Sequence, residues 1–140
     1  MPISEAHAGR SYPTSMPYKV SRAKIAEFAT ALGDKNPAYR GTSPVAPPTF
    51  AIVLAAAAWR TMFADPELDI EYSRAVHGEQ KFTWQRLLRA GDEVVSTLTI
   101  EKVRRRGLAA FITIAVRVST TEGEPVCTAI STLVHTDEAA

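Results

Sequence analysis

Residues Thr49 to Phe63 constrain the fold most, because a helix built from them is apolar on every side. Pro47-Pro48 comes directly before this stretch, and proline is tolerated at the first helical positions, where the backbone N–H has no internal partner. The longest apolar run, Phe50 to Trp59, is shorter than the roughly 18 residues that a membrane span needs. A helix that is apolar all round is expected to be buried all round. The rest of the chain must therefore wrap this one.

After Asp65-Pro66 the hydrophobic periodicity changes from helical to alternating. Alternation predicts four antiparallel strands between about Val76 and Val134, with hairpin connections at Arg104 to Gly107 and Glu122 to Pro125. In three of these strands, alternation also predicts which residues share one face. The first of the three carries Val94, Leu98 and Ile100 on that face. The second carries Leu108, Ala110, Ile112, Ile114, Val116 and Val118, and the third carries Val126, Thr128, Ile130 and Val134.

The N-terminal third of the chain adds a short edge strand and a helix. Prolines exclude a helix before Tyr18 to Val20, which is at best a short edge strand. Ser21 is a suitable N-cap, Gly33 a suitable helix end, and one helix face would carry Ile25, Phe28, Ala29 and Leu32. Turn formers then predict a loop from Asp34 to Pro47.

This order of elements predicts an α+β hot-dog fold over residues 1–140 as a single domain: a curled antiparallel five-stranded sheet around a long apolar helix. A curled open sheet leaves unpaired edges, which favour pairing with a second copy or with another protein. We therefore expect a dimer.

The composition argues against nucleic-acid binding, membrane binding and a zinc site. A chain of 140 residues, 46% of them apolar, with a net charge of +1, is typical of one globular domain that binds neither nucleic acid nor membranes. The only cysteine, Cys127, cannot form a disulfide within the chain, and the three histidines lack zinc-ligand spacing. No phosphate-binding glycine loop or nucleophile elbow is present. We expect a cytoplasmic protein without a secretion signal, metal or cofactor.

Two stretches resemble a known family. Gly33-Asp34-Lys35-Asn36-Pro37-Ala38-Tyr39 is similar to the Gly-Asp-x-Asn-Pro-x-His signature of MaoC-like (R)-specific enoyl hydratases and 3-hydroxyacyl dehydratases, and the segment from Gln80 to Val94 is similar to their later Phe…Gly-Asp-x-Val segment. With Tyr12-Pro13, Ala46 to Phe50 and Tyr72 to Phe82, the chain resembles the MaoC-like dehydratase N-terminal family. That family includes accessory subunits of the heterodimeric dehydratase of mycolate-type fatty-acid elongation.

The resemblance implies a hot-dog dimer that acts on thioesters of coenzyme A or acyl carrier protein. The reaction removes water from an (R)-3-hydroxyacyl thioester, or adds it to the trans-2-enoyl form. The family uses an Asp and a His five residues apart, with a hydrogen-bond donor at a helix N-terminus. Asp34 takes the place of the catalytic aspartate, with Asn36 beside it among the substrate-binding candidates, but Tyr39 stands where the histidine would be.

Tyr39 removes the obvious base. A tyrosine with a pKa of about 10 is about 0.1% ionised at neutral pH, roughly a thousandfold less than an available histidine. General-base catalysis contributes about 10²–10⁴-fold, so most of it could be lost. Tyr39 could instead line the pocket or anchor the loop, and Asp34 could be an Asx-type cap. Because proline has no N–H, any oxyanion donor must come from Thr49 or Phe50.

Other candidates lie on the strands. Gln80 and Phe82 share a face and could touch the acyl chain, whereas alternation assigns His77 to the opposite face with Glu79 and Lys81, as a solvated residue. Cys127 is expected to be a buried structural thiol. The basic cluster at Lys102, Arg104, Arg105 and Arg106 either keeps a hairpin soluble or docks an acidic carrier protein or the phosphates of coenzyme A.

These observations lead to one main hypothesis and two alternatives. The main hypothesis is the catalytically impaired, substrate-binding subunit of a 3-hydroxyacyl-thioester dehydratase, partnered with a chain that supplies the Asp and the His. The first alternative is a self-sufficient homodimeric enoyl-CoA hydratase that uses Asp34 with Tyr39 or His77. The second is a binding module for acyl thioesters that does no chemistry. Thioesterase action would rest on fold analogy alone.

Overall fold

The computed structural model describes residues 2–139, which form two α-helices and five strands. All strands belong to one curled antiparallel sheet in the order β1-β3-β4-β5-β2, and the predicted hot-dog fold is confirmed. Three short 3-10 turns lie at Glu5–His7, Pro37–Tyr39 and Tyr72–Arg74. The elements are β1 (Tyr18–Lys19), α1 (Arg22–Leu32), α2 (Ile52–Phe63), β2 (Ala75–Trp84), β3 (Glu93–Arg106), β4 (Ala109–Thr120) and β5 (Pro125–Thr136).

Helix α1 has the predicted caps. The Ser21 hydroxyl accepts a hydrogen bond from the Lys24 N–H at 3.0 Å, and Gly33 ends the helix at a φ of +71°, which favours glycine. Ile25 and Ala29 are buried against the core as expected. Leu32 is 53% exposed, so its assignment to the buried face was wrong, because the last turn of α1 extends past the core.

Helix α2 is shorter and less enclosed than predicted. Residues 48–51 form a turn, and the helix itself has 12 residues. Leu54, Trp59 and Met62 are buried, whereas Ala57 and Arg60 on the opposite side are exposed. The prediction of burial all round was wrong, because one five-stranded sheet covers only one side of the helix. Among residues 2–139, no helix is long and apolar enough to cross a membrane.

The register of the sheet decides which residues of β5 face α2. Ile112 of β4 pairs with Leu133, Ile114 with Ser131 and Val116 with Ala129, and all six are buried. The inward face of β5 therefore carries Ala129, Ser131 and Leu133, and Thr128, Ile130 and Val134 lie on the partly exposed outer face, against the prediction. Leu108 was also misassigned, since it lies in the β3–β4 turn and is 51% exposed.

The two edges of the sheet differ. Residues 9–15, here called the N-terminal strap, run along the free side of β3 and exchange backbone hydrogen bonds with it: Gly9 N–H to Ile100 O at 2.7 Å, Ile100 N–H to Arg10 O at 2.8 Å, Tyr12 N–H to Leu98 O at 3.0 Å and Ser15 N–H to Ser96 O at 2.8 Å. The far side of β2, here called the open edge, pairs with no strand among the described residues.

Candidate active site

The loop after α1 is held by its own side chains. Asp34 Oδ1 accepts a hydrogen bond from the Asn36 N–H, and Asn36 Oδ1 accepts one from the Ala38 N–H, both at 3.0 Å. The Arg40 guanidinium donates to the carbonyls of Asp34 and Asn36 at 3.0 and 3.1 Å. Asp34 therefore forms the Asx-type turn, while its second oxygen, Oδ2, makes no hydrogen bond to residues 2–139. Asn36 caps the Pro37–Tyr39 turn, so its side-chain oxygen has a structural partner.

Tyr39 belongs to the hydrophobic core, with only 9% of its surface exposed. The chain around it is tied to the segment that follows β2: the Val45 N–H donates to Ala38 O at 3.0 Å, and the Ala46 N–H donates to Leu88 O at 2.7 Å. This position fits the loop-anchor alternative. Because residue 39 is a tyrosine, no imidazole occupies the position that the resemblance gives to the catalytic histidine.

The start of α2 offers one free backbone donor among the two predicted. The Phe50 N–H already donates to Pro47 O at 2.9 Å, and the Phe50 ring packs edge-on against Phe28 with centroids 5.4 Å apart. The Thr49 N–H has no acceptor among the described residues, and Thr49 is exposed. Thr49 is therefore the predicted donor that a substrate oxygen could reach.

The later Gly-Asp-x-Val segment, Gly91 to Val94, makes structural contacts. Asp92 accepts hydrogen bonds from Arg86 and from the Arg89 N–H, both at 2.8 Å, and Arg86 also pairs with Glu124 at 3.2 Å. Burial is the largest single influence and would raise the pKa of Asp92, but the hydrogen bonds from Arg86 and Arg89 and the positive charges of these two residues together outweigh it and hold that pKa below its usual range. Gly91 has a φ of +94°, which favours glycine in the preceding turn. Sequence reasoning gave Arg86 no role.

The structure places Gln80 and Phe82 on the helix-facing side of β2, and it places His77 there too. A β-bulge at Gly78 shifts the register between His77 and Glu79, so the predicted alternation fails at this point. The Gln80 Oε1 atom accepts hydrogen bonds from the Ser131 hydroxyl at 2.6 Å and from His77 Nε2 at 3.1 Å. The His77 ring packs edge-on against Trp59 at 5.2 Å. The prediction that His77 faces away from Gln80 was wrong.

The basic hairpin is partly committed to structural contacts. Arg105 pairs with Asp137 and donates to the carbonyl oxygens of Ile3 and Gly107, both at 3.0 Å, so its charge ties the two chain ends together. Arg104 lies over the Phe111 ring at 5.3 Å. Arg104 and Arg106 are exposed, and for them carrier docking stays a prediction.

The single thiol forms no reactive centre, and the described His, Cys, Asp and Glu side chains form no metal-binding centre. Cys127 is buried, as predicted for a structural thiol, and burial raises its pKa to about 12. Among residues 2–139, no cluster of three His, Cys, Asp or Glu side chains could hold a metal ion.

A groove of about 410 Å³ lies between α2 and the segment that joins the N-terminal strap to β1. The exposed side of α2 contributes Val53, Ala57 and Thr61, and β3 contributes Leu98. The Thr61 hydroxyl donates to Ala58 O at 2.7 Å, so this polar group in the wall already has a partner. The groove therefore suits an apolar group.

Comparison with known proteins assigns the class. The HadBC complex of Mycobacterium tuberculosis, described as a 3R-hydroxyacyl-ACP dehydratase, superposes with a TM-score of 0.80 at 26% identity, over 91% of this chain and 96% of that one. A MaoC-like dehydratase superposes with a TM-score of 0.84 at 30% identity, over 95% of this chain and 43% of that longer one. The fold and these similarities define a hot-dog dehydratase domain.

The family follows from the sequence matches. The family model described as "FAS1-like, dehydratase domain region" matches residues 6–129, and the chain belongs to this family. A UPF0336 protein of Cutibacterium acnes is 51% identical over 97% of this chain and 96% of its own length. A UPF0336 protein of Saccharopolyspora erythraea is 40% identical over 96% of this chain and 92% of its own length.

Proposed function

We propose that this chain is the catalytically impaired, substrate-binding subunit of a dehydratase that acts on (R)-3-hydroxyacyl thioesters of acyl carrier protein or coenzyme A in fatty-acid metabolism. One observation carries the proposal. Asp34 keeps a carboxylate oxygen without a partner among the described residues, but the position of the catalytic histidine is filled by Tyr39, whose ring is buried in the core.

The chemistry explains why a second chain is needed. Dehydration takes a proton from the α-carbon and gives one to the departing hydroxyl, so a carboxylate and an imidazole are both used in this family. Of these two groups, the loop after α1 supplies only the carboxylate, that of Asp34. At neutral pH, the fraction of a phenol that is ionised is about a thousandfold smaller than the fraction of histidine that is unprotonated and able to act as a base. A tyrosine is therefore a poor substitute for the histidine. A paired MaoC-like chain with both residues completes the reaction.

The open edge of β2 supports this pairing. A strand with unpaired N–H and C=O groups is a template for another strand. Exposed apolar side chains lie at its start, with Tyr72 and Val76 both about two-thirds exposed. One of the structural neighbours is itself described as a complex, the HadBC dehydratase. We propose a heterodimer with a catalytic chain as the working form.

The proposed roles of the remaining residues follow from their positions. The groove beside α2 would take the apolar part of the acyl chain, since its wall offers alkyl and alanine side chains. Thr49 would donate its free N–H to the thioester oxygen, and Gln80 and Phe82 would border the acyl chain. Arg104 and Arg106 would meet the carrier. The single free thiol of Cys127 is consistent with the reducing cytoplasm in which we place the protein.

The test follows the absorbance of the conjugated enoyl thioester, with crotonyl-CoA and longer enoyl-CoA substrates. The protein is assayed alone and mixed with a MaoC-like chain from the same genome that carries both the Asp and the His. We expect no turnover by this chain alone, and a mixture faster than the catalytic chain by itself. Turnover by this chain alone, abolished in Asp34→Asn, would contradict the proposal and favour the homodimeric hydratase. Saturable binding of acyl-CoA without any rate gain would indicate a binding module.

A further inference from the structure

The hydrogen bonds around His77 select one tautomer of its neutral ring. The Gln80 Nε2 group donates to Lys81 O at 3.2 Å, which directs the amide oxygen of Gln80 toward Ser131 and His77. Because that oxygen can only accept, the bonded His77 Nε2 atom must carry the hydrogen. In the neutral ring the unprotonated nitrogen is then Nδ1. The chain thus holds an imidazole with a defined acceptor atom.

This imidazole lies at the open edge beside an unused donor. His77 is exposed, although its ring faces α2 and contacts Trp59. A small cavity of about 100 Å³ is bordered by His77, Trp59, Tyr72 and Leu133. The Trp59 indole N–H is buried and has no acceptor among residues 2–139. Buried donors are normally satisfied, so this position is incomplete in the isolated chain.

Within one chain, His77 and the Asp34 loop belong to opposite ends of β2. His77 lies near the start of the strand, whereas hydrogen bonds tie the Asp34 loop to Leu88, beyond its end. Two strands that pair antiparallel run in opposite directions, so the start of one lies beside the end of the other. Full pairing of Ala75–Trp84 with the equivalent strand of a second subunit sets His77 opposite the position of Phe82 there.

We propose that His77 acts across the open edge, in the site of the paired subunit. Its Nδ1 atom accepts a hydrogen bond from the 3-hydroxyl group of the thioester bound there and so orients that hydroxyl, while the Asp and His of the catalytic subunit take the α-proton and protonate the departing oxygen. Gln80 and Ser131 are positioning residues for the His77 ring. The accessory chain then supplies a side chain to the reaction as well as covering the substrate. This inference rests on the proposed function, since it needs a paired catalytic subunit.

The test uses the assembled two-chain enzyme and measures kcat and KM for dehydration of (R)-3-hydroxybutyryl-CoA. We expect His77→Gln to lower kcat about tenfold to a hundredfold while KM changes less than about threefold. Ser131→Ala, which releases Gln80, should lower kcat about threefold or more, and Ser131→Thr, which keeps the hydroxyl, should restore most of it. The matched control is Lys81→Gln, on the outer face of the same strand, where Lys81 pairs with the exposed Glu79.

A second measurement does not depend on activity. Residue 77 of this chain is changed to cysteine, as His77→Cys, and the catalytic chain receives a cysteine at the position equivalent to Phe82. We expect an intersubunit disulfide under mild oxidation, and a control with Lys81→Cys should form much less. Absence of the disulfide in an intact complex overturns the placement of His77.

The outcomes separate the two proposals. An intact complex in which His77→Gln keeps full kcat overturns this inference alone, and so does an equal loss in Lys81→Gln. A complex without any rate gain from the unmodified chain overturns the proposed function, while the disulfide still decides the placement. If no complex forms by size-exclusion chromatography, both proposals are overturned.

Discussion

The two edges of the sheet are finished in different ways. At the β3 edge the chain supplies its own cover, because the N-terminal strap continues the backbone hydrogen bonding and β1 extends it. The strap is fastened by Asp65, two residues after the end of α2, which accepts hydrogen bonds from Tyr12 at 2.6 Å and from Arg10 at 2.8 Å. At the β2 edge no described segment does the same, and Val76 is left 66% exposed.

This difference separates the edge that stabilises the isolated chain from the edge that is free to bind a partner. A covered edge with a half-buried polar fastening is a stability feature of the isolated chain. The open edge carries apolar side chains and a hydrogen-bonded imidazole, and beside it the Trp59 indole N–H has no acceptor among residues 2–139. This edge is therefore arranged for contact with a partner. Substitutions at the first edge should change folding, and those at the second should change association.

The largest expected effect concerns the reactivity of Cys127, which pairs with Trp84 beneath the open edge. With its pKa raised to about 12, the native thiol has about a thousandfold less thiolate at pH 8 than an exposed thiol near pKa 9. We expect labelling by a disulfide reagent at pH 8 to be slower by at least that factor than in urea. Similar rates would mean that β2 detaches readily, and a bound partner should slow labelling further.

Charge at the open edge should block association. In Val76→Asp a carboxylate would be desolvated between two strands, so we expect the affinity for a second subunit to fall at least about a hundredfold. The free energy of unfolding should change by less than about 0.5 kcal/mol, because the side chain is exposed. Sedimentation velocity measures the first quantity and urea titration the second. Met16→Asp, at an 84% exposed position beside the covered edge, is the control that should leave association unaltered.

Breaking the fastening of the N-terminal strap should destabilise the isolated chain. Asp65→Ala removes the acceptor shared by Tyr12 and Arg10, and we expect unfolding to become easier by about 2 kcal/mol. Urea denaturation at pH 7 measures this change. The control is Glu67→Gln, which removes only an exposed ion pair with Arg10. It should lower the free energy of unfolding by less than about 0.5 kcal/mol. Equal effects of the two substitutions would contradict the role given to Asp65.

The smallest expected effect is a pH dependence of the same fastening. The Tyr12 hydrogen bond holds the pKa of Asp65 below its usual value of 3.8. Because the folded pKa is depressed, this contribution is fully present above about pH 4 and is lost as the pH falls through the folded pKa. Tyr12→Phe should be less stable than the natural chain by about 1 kcal/mol at pH 7, and the difference should shrink below pH 4. A difference that stays constant in urea titrations down to pH 2 would contradict this account.

Much of the fold could be predicted because it depends on local patterns. The Ser21 cap and the end at Gly33 lie where the sequence predicts them, and the β4–β5 turn overlaps the predicted Glu122 to Pro125, whereas the β3–β4 turn lies at Gly107–Leu108 because β3 continues through the predicted connection to Arg106. The errors occur where two segments must be aligned. The buried face of β5 depends on its register with β4, and the exposure of α2 depends on how far the sheet curls.

The candidate site could be predicted only as a set of residues. The sequence identifies Asp34, Tyr39 and Gln80 by resemblance and offers a structural alternative for Asp34 and Tyr39, but only the structure shows that Asp34 closes its own turn and that Tyr39 is buried. Arg105 illustrates the same limit, since its pairing with Asp137 joins positions far apart in the chain. Partners at such separations leave no local signal.

The sequence by itself determined the element types, the apolar central helix and the missing histidine, because periodicity, capping and residue identity are properties of short segments. Only the tertiary structure decided that His77 turns toward Gln80 and Trp59, that the strap closes one edge, and that the other edge stays open. The physical reason is that one extra residue at the Gly78 bulge reverses the face of a side chain, and the pairing of distant strands determines where such a bulge is needed.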